Sequence, residues 1–407
     1  MKQMIYPRKI FAFLLLLALP ACAAFVPSFP RLENYETGMD AAGKRFLVHA
    51  KIDGKPATLA LDTGAECLFL FKPAAQRLGL NLTGIPSDET RQNGKFFALE
   101  TKPYEVAIFN TTGRMRLLVA DFSVPMDVDG CAGWSLFKNS IFQIDAASGV
   151  VRSLSEVPKE ARDWTKLRVH RSSDVLCLEI PGLRKNGVVL VDTGNDGGVS
   201  LNRLRWQTWT NTNPQRPKTL TAYYMGGSGV VVGEESWAGK FSLGPLEISD
   251  VPVRAASPSD IAVGSPEAPY QATLGLTALR RLDLIIDGKS GIAYVHPRTG
   301  PFRPYQYNRS GAVFVSRDPG RDKSAPVAHV LEGGPAYQAG IRDGDIVVSY
   351  NGQPPGNWYE GPTTASATRP AGTKMELTLK RGEKTFTTVV ELQDLFPPAA
   401  SGMNSQK

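Results

Sequence analysis

The chain has no apolar run long enough to cross a bilayer, no Cys-x-x-Cys or His-x-x-x-His spacing, and no block of Lys and Arg interleaved with aromatics. A spanning helix needs about 20 apolar residues, so none is expected. The four histidines (His49, His170, His296, His329) are scattered, and neither a metal site nor a cofactor is expected. The formal net charge of +7 is spread over 407 residues, which argues against nucleic acid as a partner. Cysteine is scarce: beyond Cys22 there are only Cys67, Cys131 and Cys177.

What remains is ordinary globular material, 42% hydrophobic and 21% charged, long enough for two or three domains with real cores. The first residues stand apart. Lys2, Arg8 and Lys9 precede the apolar residues 10–19, and small residues follow at Ala21-Cys22-Ala23-Ala24. This is the pattern of a secretory signal peptide over residues 1–23. Within it Leu19-Pro20-Ala21-Cys22 resembles a bacterial lipobox. Processing there would end the signal at residue 21 and leave Cys22 lipidated, giving membrane attachment; cleavage after Ala23 or Ala24 would release a free periplasmic protein. Both routes stay open. In an oxidising space the three other thiols allow at most one internal disulfide, Cys67 to Cys131, and the simpler reading is three buried thiols.

The chain repeats itself. FLVHAKIDGKPATLALDTGAECLFL and LCLEIPGLRKNGVVLVDTGNDGGVSL both read as an apolar β-hairpin whose second strand ends in an acid, Asp62 or Asp192. A short helical stretch follows each, KPAAQRLGL and LNRLRWQTW. The copies close on GWSLFKNSIFQIDAASGVV from Gly133 and GLTALRRLDLIIDGKSGIA from Gly275, which align without gaps. The acids are 130 residues apart and these glycines 142, so the second copy carries a modest insertion. The fold class expected is mainly β: two tandem β-barrel lobes forming a pseudo-dimer, followed by a small α+β domain. An N-terminal linker spans 24–44, the lobes 45–156 and 167–300, the third unit 307–395 and a Pro/Ser-rich disordered tail 396–407. Residues 297–310 have the composition of a linker. Beyond them the pattern predicts a short helix at 335–339, a strand at 345–350, the turn Asn351-Gly352 and a closing hairpin through Arg381-Gly382.

A single Asp-Thr-Gly after a strand is an ordinary turn. Two of them at the same place in a repeated lobe suit a different use. Two carboxylates about 3 Å apart cannot both ionise; they share a proton, and one serves as base while the other serves as acid. Gly64 and Gly194 let the two backbones approach, and Thr63 and Thr193 offer hydroxyls to brace the pair.

On these residues the sequence resembles the retropepsin-like and pepsin-like aspartic proteases. Asp62-Thr63-Gly64 and Asp192-Thr193-Gly194 match that family's catalytic motif. Cys131-Ala132-Gly133 and Thr273-Leu274-Gly275 match the apolar-apolar-Gly element that cradles the catalytic loop. Over residues 45–300 the resemblance implies that each lobe supplies one aspartate to a cleft binding an extended peptide. Glu66 and Asp196 stand four residues after each aspartate, where pepsins carry serine and where a retroviral acid contacts substrate backbone. The resemblance also implies Gly-rich flaps: YYMGGSGVVVGEE supplies Gly226, Gly227 and Gly229 in the second lobe, and the first offers only Asn93-Gly94.

Residues 307–395 resemble a bacterial PDZ domain, most specifically in GGPAYQAGIRDGDIVVSYNGQPP. Ser310, Gly311, Ala312, Val313 and Phe314 stand where such domains grip a C-terminal carboxylate with backbone N–H groups. NWYEGPTTASATRPAG, at the groove-lining helix, is a poor helix former.

The function expected is that of an exported, monomeric aspartic endopeptidase acting on peptide or protein substrates, its PDZ unit recruiting them. The alternatives are a non-catalytic peptide-binding module on the same lobes, where Glu66 alters the charge balance of the dyad, and an envelope scaffold lipoprotein.

Overall fold

The computed structural model describes residues 31–396 except 33, 83–98, 121–126, 172–173, 184–186, 225–229, 257–269, 301, 303, 316–324 and 355–365. The signal segment with Cys22, both flap candidates and the tail beyond Phe396 lie outside the described residues.

The first repeat opens with strands Leu47–Ile52 and Lys55–Asp62, paired antiparallel about Asp53 (φ 51°) and Gly54 (φ 75°). Two successive left-handed residues turn the chain in the sense that matches strand twist, which is why Asp-Gly works there. The acid strand then runs parallel to Gly130–Gly133, with Asp62 opposite Gly133. Gly130–Gly133 is antiparallel to Phe69–Phe71, which runs parallel to Leu118–Ala120. The acid-bearing turn therefore leaves one strand and rejoins the sheet two places away, with a later strand between.

The second repeat has the same wiring. Val188–Val191 runs parallel to Tyr270–Leu274, that strand is antiparallel to Val199–Leu201, and Val199–Leu201 is parallel to Leu246–Ala255. Within this repeat Lys218–Tyr224 and Val230–Leu243 form a long antiparallel hairpin. Helices follow where the helical stretches were expected, at Lys72–Arg77 and Arg203–Thr212, the second capped by Asn202 Oδ1 accepting from Arg205 N at 3.0 Å.

The closing units are twin hairpins, Ile141–Asp145 with Val150–Leu154 and Leu282–Asp287 with Ile292–Pro297. Each is turned by its acid: Ser148 N donates to Asp145 Oδ1 and Ser290 N to Asp287 Oδ1, both at 3.0 Å, before Gly149 (φ 77°) and Gly291 (φ 73°). The hairpins pair with each other antiparallel, Ile141 opposite Asp287. Arg298 crosses between the repeats to Asp145 at 2.9 Å and also holds Asp283 at 2.6 Å. Phe142, Ile144, Leu284 and Ile286 belong to one buried apolar cluster that includes both repeats. The expected N-terminal linker contributes a strand, Glu36–Gly38, on the edge of Val150–Leu154. Three residues ending in glycine carry no readable period, and a neighbouring edge orders them.

The last unit is a five-stranded antiparallel sheet, from Ala312–Val315 through Val327–Val330, Ile346–Tyr350 and Lys374–Arg381 to Lys384–Glu391, with its own core. Its helix is Pro335–Gln338. The stretch before it, linker-like by composition, is packed: Tyr307 and Phe396 are buried with Trp237 of the second repeat, Tyr305 lying against them. Phe396, placed in the tail by composition, thus anchors the end of the sheet instead.

Candidate active site

The repeated wiring brings the two acid turns together. Thr63 N donates to Thr193 Oγ1 at 3.0 Å, and Thr193 N donates to Thr63 Oγ1 at 3.1 Å. Each hydroxyl is in turn a donor to the opposite acid strand, Thr63 Oγ1 to Val191 O at 2.6 Å and Thr193 Oγ1 to Leu61 O at 2.8 Å. Both threonines are fully buried, so every one of these groups depends on the other turn for its partner.

Asp62 and Asp192 are partly exposed on this base, and their carboxyls are in hydrogen-bond contact with each other. Gly64 N donates to Asp62 Oδ1 at 2.9 Å and Gly194 N to Asp192 Oδ1 at 3.0 Å. A Cβ on Gly64 would stand 2.7 Å from the Asp192 carboxyl carbon, and one on Gly194 would stand 2.5 Å from that of Asp62. Only glycine permits this approach. Gly133 and Gly275 are equally constrained from behind: a Cβ would meet Cys67 N and Gly197 O, each at 2.5 Å. Trp134 N to Ala65 O (2.9 Å) and Leu276 N to Asn195 O (2.7 Å) fasten each turn to the short helix that follows its glycine.

The electrostatics couple the two acids. Burial, then the charge of Asp62, pushes the Asp192 carboxyl well above the usual carboxylate range. Burial raises Asp62 too, while the Gly64 N–H and a hydrogen bond with Asp192 pull it back. Both carboxyls are thus raised by burial, and two acids in contact titrate as a pair that shares one proton. The Cys131 thiol also hydrogen-bonds Asp62; burial and both acids push it far up, so it stays a neutral donor. Its place in an apolar strand gave no sign of this contact. Cys67, Cys131 and Cys177 are all buried and unbonded to one another.

Glu66 and Asp196 follow the turns; Ser135 N donates to Glu66 O at 3.1 Å and Thr277 Oγ1 to Asp196 O at 2.7 Å. Gly226, Gly227, Gly229 and Asn93-Gly94 are not among the described residues. Among those that are, no cluster of three metal-ligating side chains occurs and no helix is long and apolar enough to cross a membrane.

In the last unit Gly311 (φ 67°) turns the chain into the strand bearing Ala312, Val313 and Phe314. Ser310 is buried; its Oγ donates to Asn308 Oδ1 at 2.7 Å and accepts from Ala312 N at 3.1 Å. Asn308 Nδ2 reaches Leu220 O at 3.0 Å, which ties this loop to the strand Lys218–Tyr224 of the second repeat.

Residues 327–381 match the family of PDZ domains. This segment is a PDZ domain. No curated protein matches the chain in sequence. Among solved structures the chain is similar to the aspartic proteinase from Irpex lacteus, with a TM-score of 0.40 and 11% identity, over 65% of this chain and 97% of that one.

Proposed function

We propose that the chain is an aspartic endopeptidase with Asp62 and Asp192 as its catalytic pair, each from one lobe of a pseudo-dimer spanning 45–156 and 167–300. The observation that carries this reading is the reciprocal Thr63–Thr193 bonding, which sets the two carboxyls against each other on glycine turns.

Asp62 takes a proton from a water between the acids as the water oxygen attacks the scissile carbonyl carbon. Asp192 gives its proton to the carbonyl oxygen, forming a tetrahedral diol. On collapse the C–N bond breaks, the amine leaves with the proton held by Asp62, and a diol hydroxyl returns a proton to Asp192. One water is consumed, one amide becomes an acid and an amine, and no covalent enzyme intermediate forms. Glu66 and Asp196 flank the pair and are assigned to substrate backbone. PDZ domains bind peptides or proteins, and here the domain is assigned to substrate or partner recruitment. The basic-then-apolar N-terminus supports export to the periplasm, with Cys22 as the lipidation point if the lipobox is used.

The test is cleavage of a mixed peptide library by the chain from Ala24 over about pH 3 to 8, beside Asp62→Asn and Asp192→Asn. Cleavage that disappears in both variants and is blocked by a statine-type diol mimic supports one shared dyad. Cleavage surviving either substitution refutes it.

A further inference from the structure

A buried charged junction lies behind the second acid turn. Arg254, 5% exposed, sits opposite Ser200 on the neighbouring parallel strand and donates through Nε to Ser200 Oγ at 2.7 Å. Its Nη2 donates to Asn195 Oδ1 at 3.1 Å, and the same oxygen accepts from Gly197 N at 2.9 Å, so the guanidinium buttresses the turn that follows Asp192. Its flat face covers the ring of Tyr223 at 3.9 Å, on the strand running to the Gly-rich segment 225–229.

Across the antiparallel pair, Arg254 is opposite Glu235, which is 1% exposed and has Thr219 opposite it on its other side. Tyr305 Oη donates to Glu235 Oε2 at 2.9 Å, and Tyr305 belongs to the aromatic cluster of Trp237, Tyr307 and Phe396 where the PDZ domain meets the second repeat. A buried guanidinium needs a counter-charge nearby. Glu235 stands opposite Arg254 in the strand register and, like Asp192, feels its charge, and the PDZ-side segment holds Glu235 through Tyr305.

We propose that Arg254 and Glu235 are positioning residues that couple the PDZ-side segment, through Tyr305, to the Asp192 turn and the strand Lys218–Tyr224. The coupling rests on the Asp62–Asp192 pair being the catalytic one, but the junction can be read without turnover.

The junction is pH-sensitive. The charged or titratable groups acting on Glu235 are Arg254 from the adjacent strand, Tyr305 from the PDZ-side segment and Asp196 from the acid turn. Burial dominates and raises its carboxyl to about 7, with Arg254 and the Tyr305 hydroxyl pulling the other way. Above that pH Glu235 is ionised and neutralises Arg254; below it Glu235 is neutral and the turn loses that support.

The experiment is amide hydrogen exchange on the full chain at about pH 5.5 and pH 8, wild type against Glu235→Gln and Tyr305→Phe, each compared at the same pH. Glu235→Gln is expected to match wild type at the lower pH, where Glu235 is itself neutral. At the higher pH the amides of residues 194–200 should exchange about 10-fold faster, as the through-space attraction between Glu235 and Arg254 is lost. Tyr305→Phe should raise the same amides about 3-fold at the higher pH while strands 374–381 and 384–391 keep their protection. A purely structural role for Glu235 would change protection at both pH values, and that result, or no change at either, overturns the proposal. An effect of Glu235→Gln without one of Tyr305→Phe overturns the link to the PDZ side. Peptide cleavage measured alongside should lose kcat in Glu235→Gln only at the higher pH, with KM unchanged. If wild type cleaves nothing, the exchange pattern alone decides the junction, and it is the catalytic reading that fails.

Discussion

Thr63 and Thr193 each donate a backbone N–H to the other's hydroxyl, at 3.0 and 3.1 Å, although 130 residues separate them. Neither turn can satisfy these buried groups alone, so the dyad is assembled by mutual dependence of the repeats. Thr193→Val keeps the shape and removes the hydroxyl, leaving the Thr63 N–H and Leu61 carbonyl without their partner. The expected cost is about 1–3 kcal/mol in urea unfolding, with peptide cleavage falling about 100-fold from misplaced carboxyls. A variant as stable and active as wild type would remove the bracing role.

Gly194→Ala tests the approach of the two backbones. Its Cβ would lie 2.5 Å from the Asp62 carboxyl carbon, so one turn must withdraw. Because Asp62 is fixed by Gly64 N and by its contacts with Asp192, the gap opens at the reacting atoms. Cleavage should fall by about 100-fold or more. Gly113→Ala, on a hairpin where a Cβ meets nothing within 4 Å, is the control and should stay within a factor of about 2.

The raised Asp192 carboxyl carries a stability consequence whose sign is fixed by linkage. The folded state keeps the proton at pH values where the unfolded chain, near its ordinary 3.8, releases it. Stability contributed by this group is therefore present below that value and is lost as pH rises toward its folded value. Asp192→Asn removes the titration. Its melting temperature should match wild type at about pH 3 and exceed it increasingly toward pH 7. A constant difference across that range would mean that burial of this carboxyl is not what shifts it.

The acid turns were legible because one tripeptide recurs at the end of two alternating strands, and because the closing units align without gaps; both became hairpins turned by Asp145 and Asp287. Turn chemistry was legible too, since Asp53-Gly54 and Asn351-Gly352 carry the left-handed pairs that the structure uses. The junction behind the dyad was not. Glu235 and Arg254 lie in strands where a charge ordinarily marks the solvent face, and only the register of three strands puts them inside. Cys131 was hidden for the opposite reason: an apolar strand gives its thiol no distinguishing neighbour in sequence, and parallel pairing brings it to Asp62. Tyr305 and Tyr307 sit among prolines and glycines, and their packing depends on Trp237, some 70 residues earlier.

The PDZ domain supplies a test independent of catalysis. Asp345, 1% exposed at its side chain, receives Arg381 Nε and Nη2 at 2.7 Å each and Arg342 N at 2.9 Å. Burial alone would push this carboxyl up, but the Arg381 guanidinium and the Arg342 N–H together hold it below the ordinary range. A depressed carboxyl stabilises the fold above its unfolded value and loses that contribution as pH falls through the folded one. Asp345→Asn keeps one acceptor for Arg381, gives up the charge and should destabilise the PDZ domain by about 1.5–3 kcal/mol at neutral pH. The loss should begin to shrink below about pH 4, where the unfolded chain takes up the proton, and should vanish only as pH falls through the lower folded value. Exchange protection of strands 374–381 and 384–391 should drop with it. The hairpins at Asp145 and Asp287, which belong to the other core, should keep theirs, and loss of protection in both cores together would show that the two unfold as one unit.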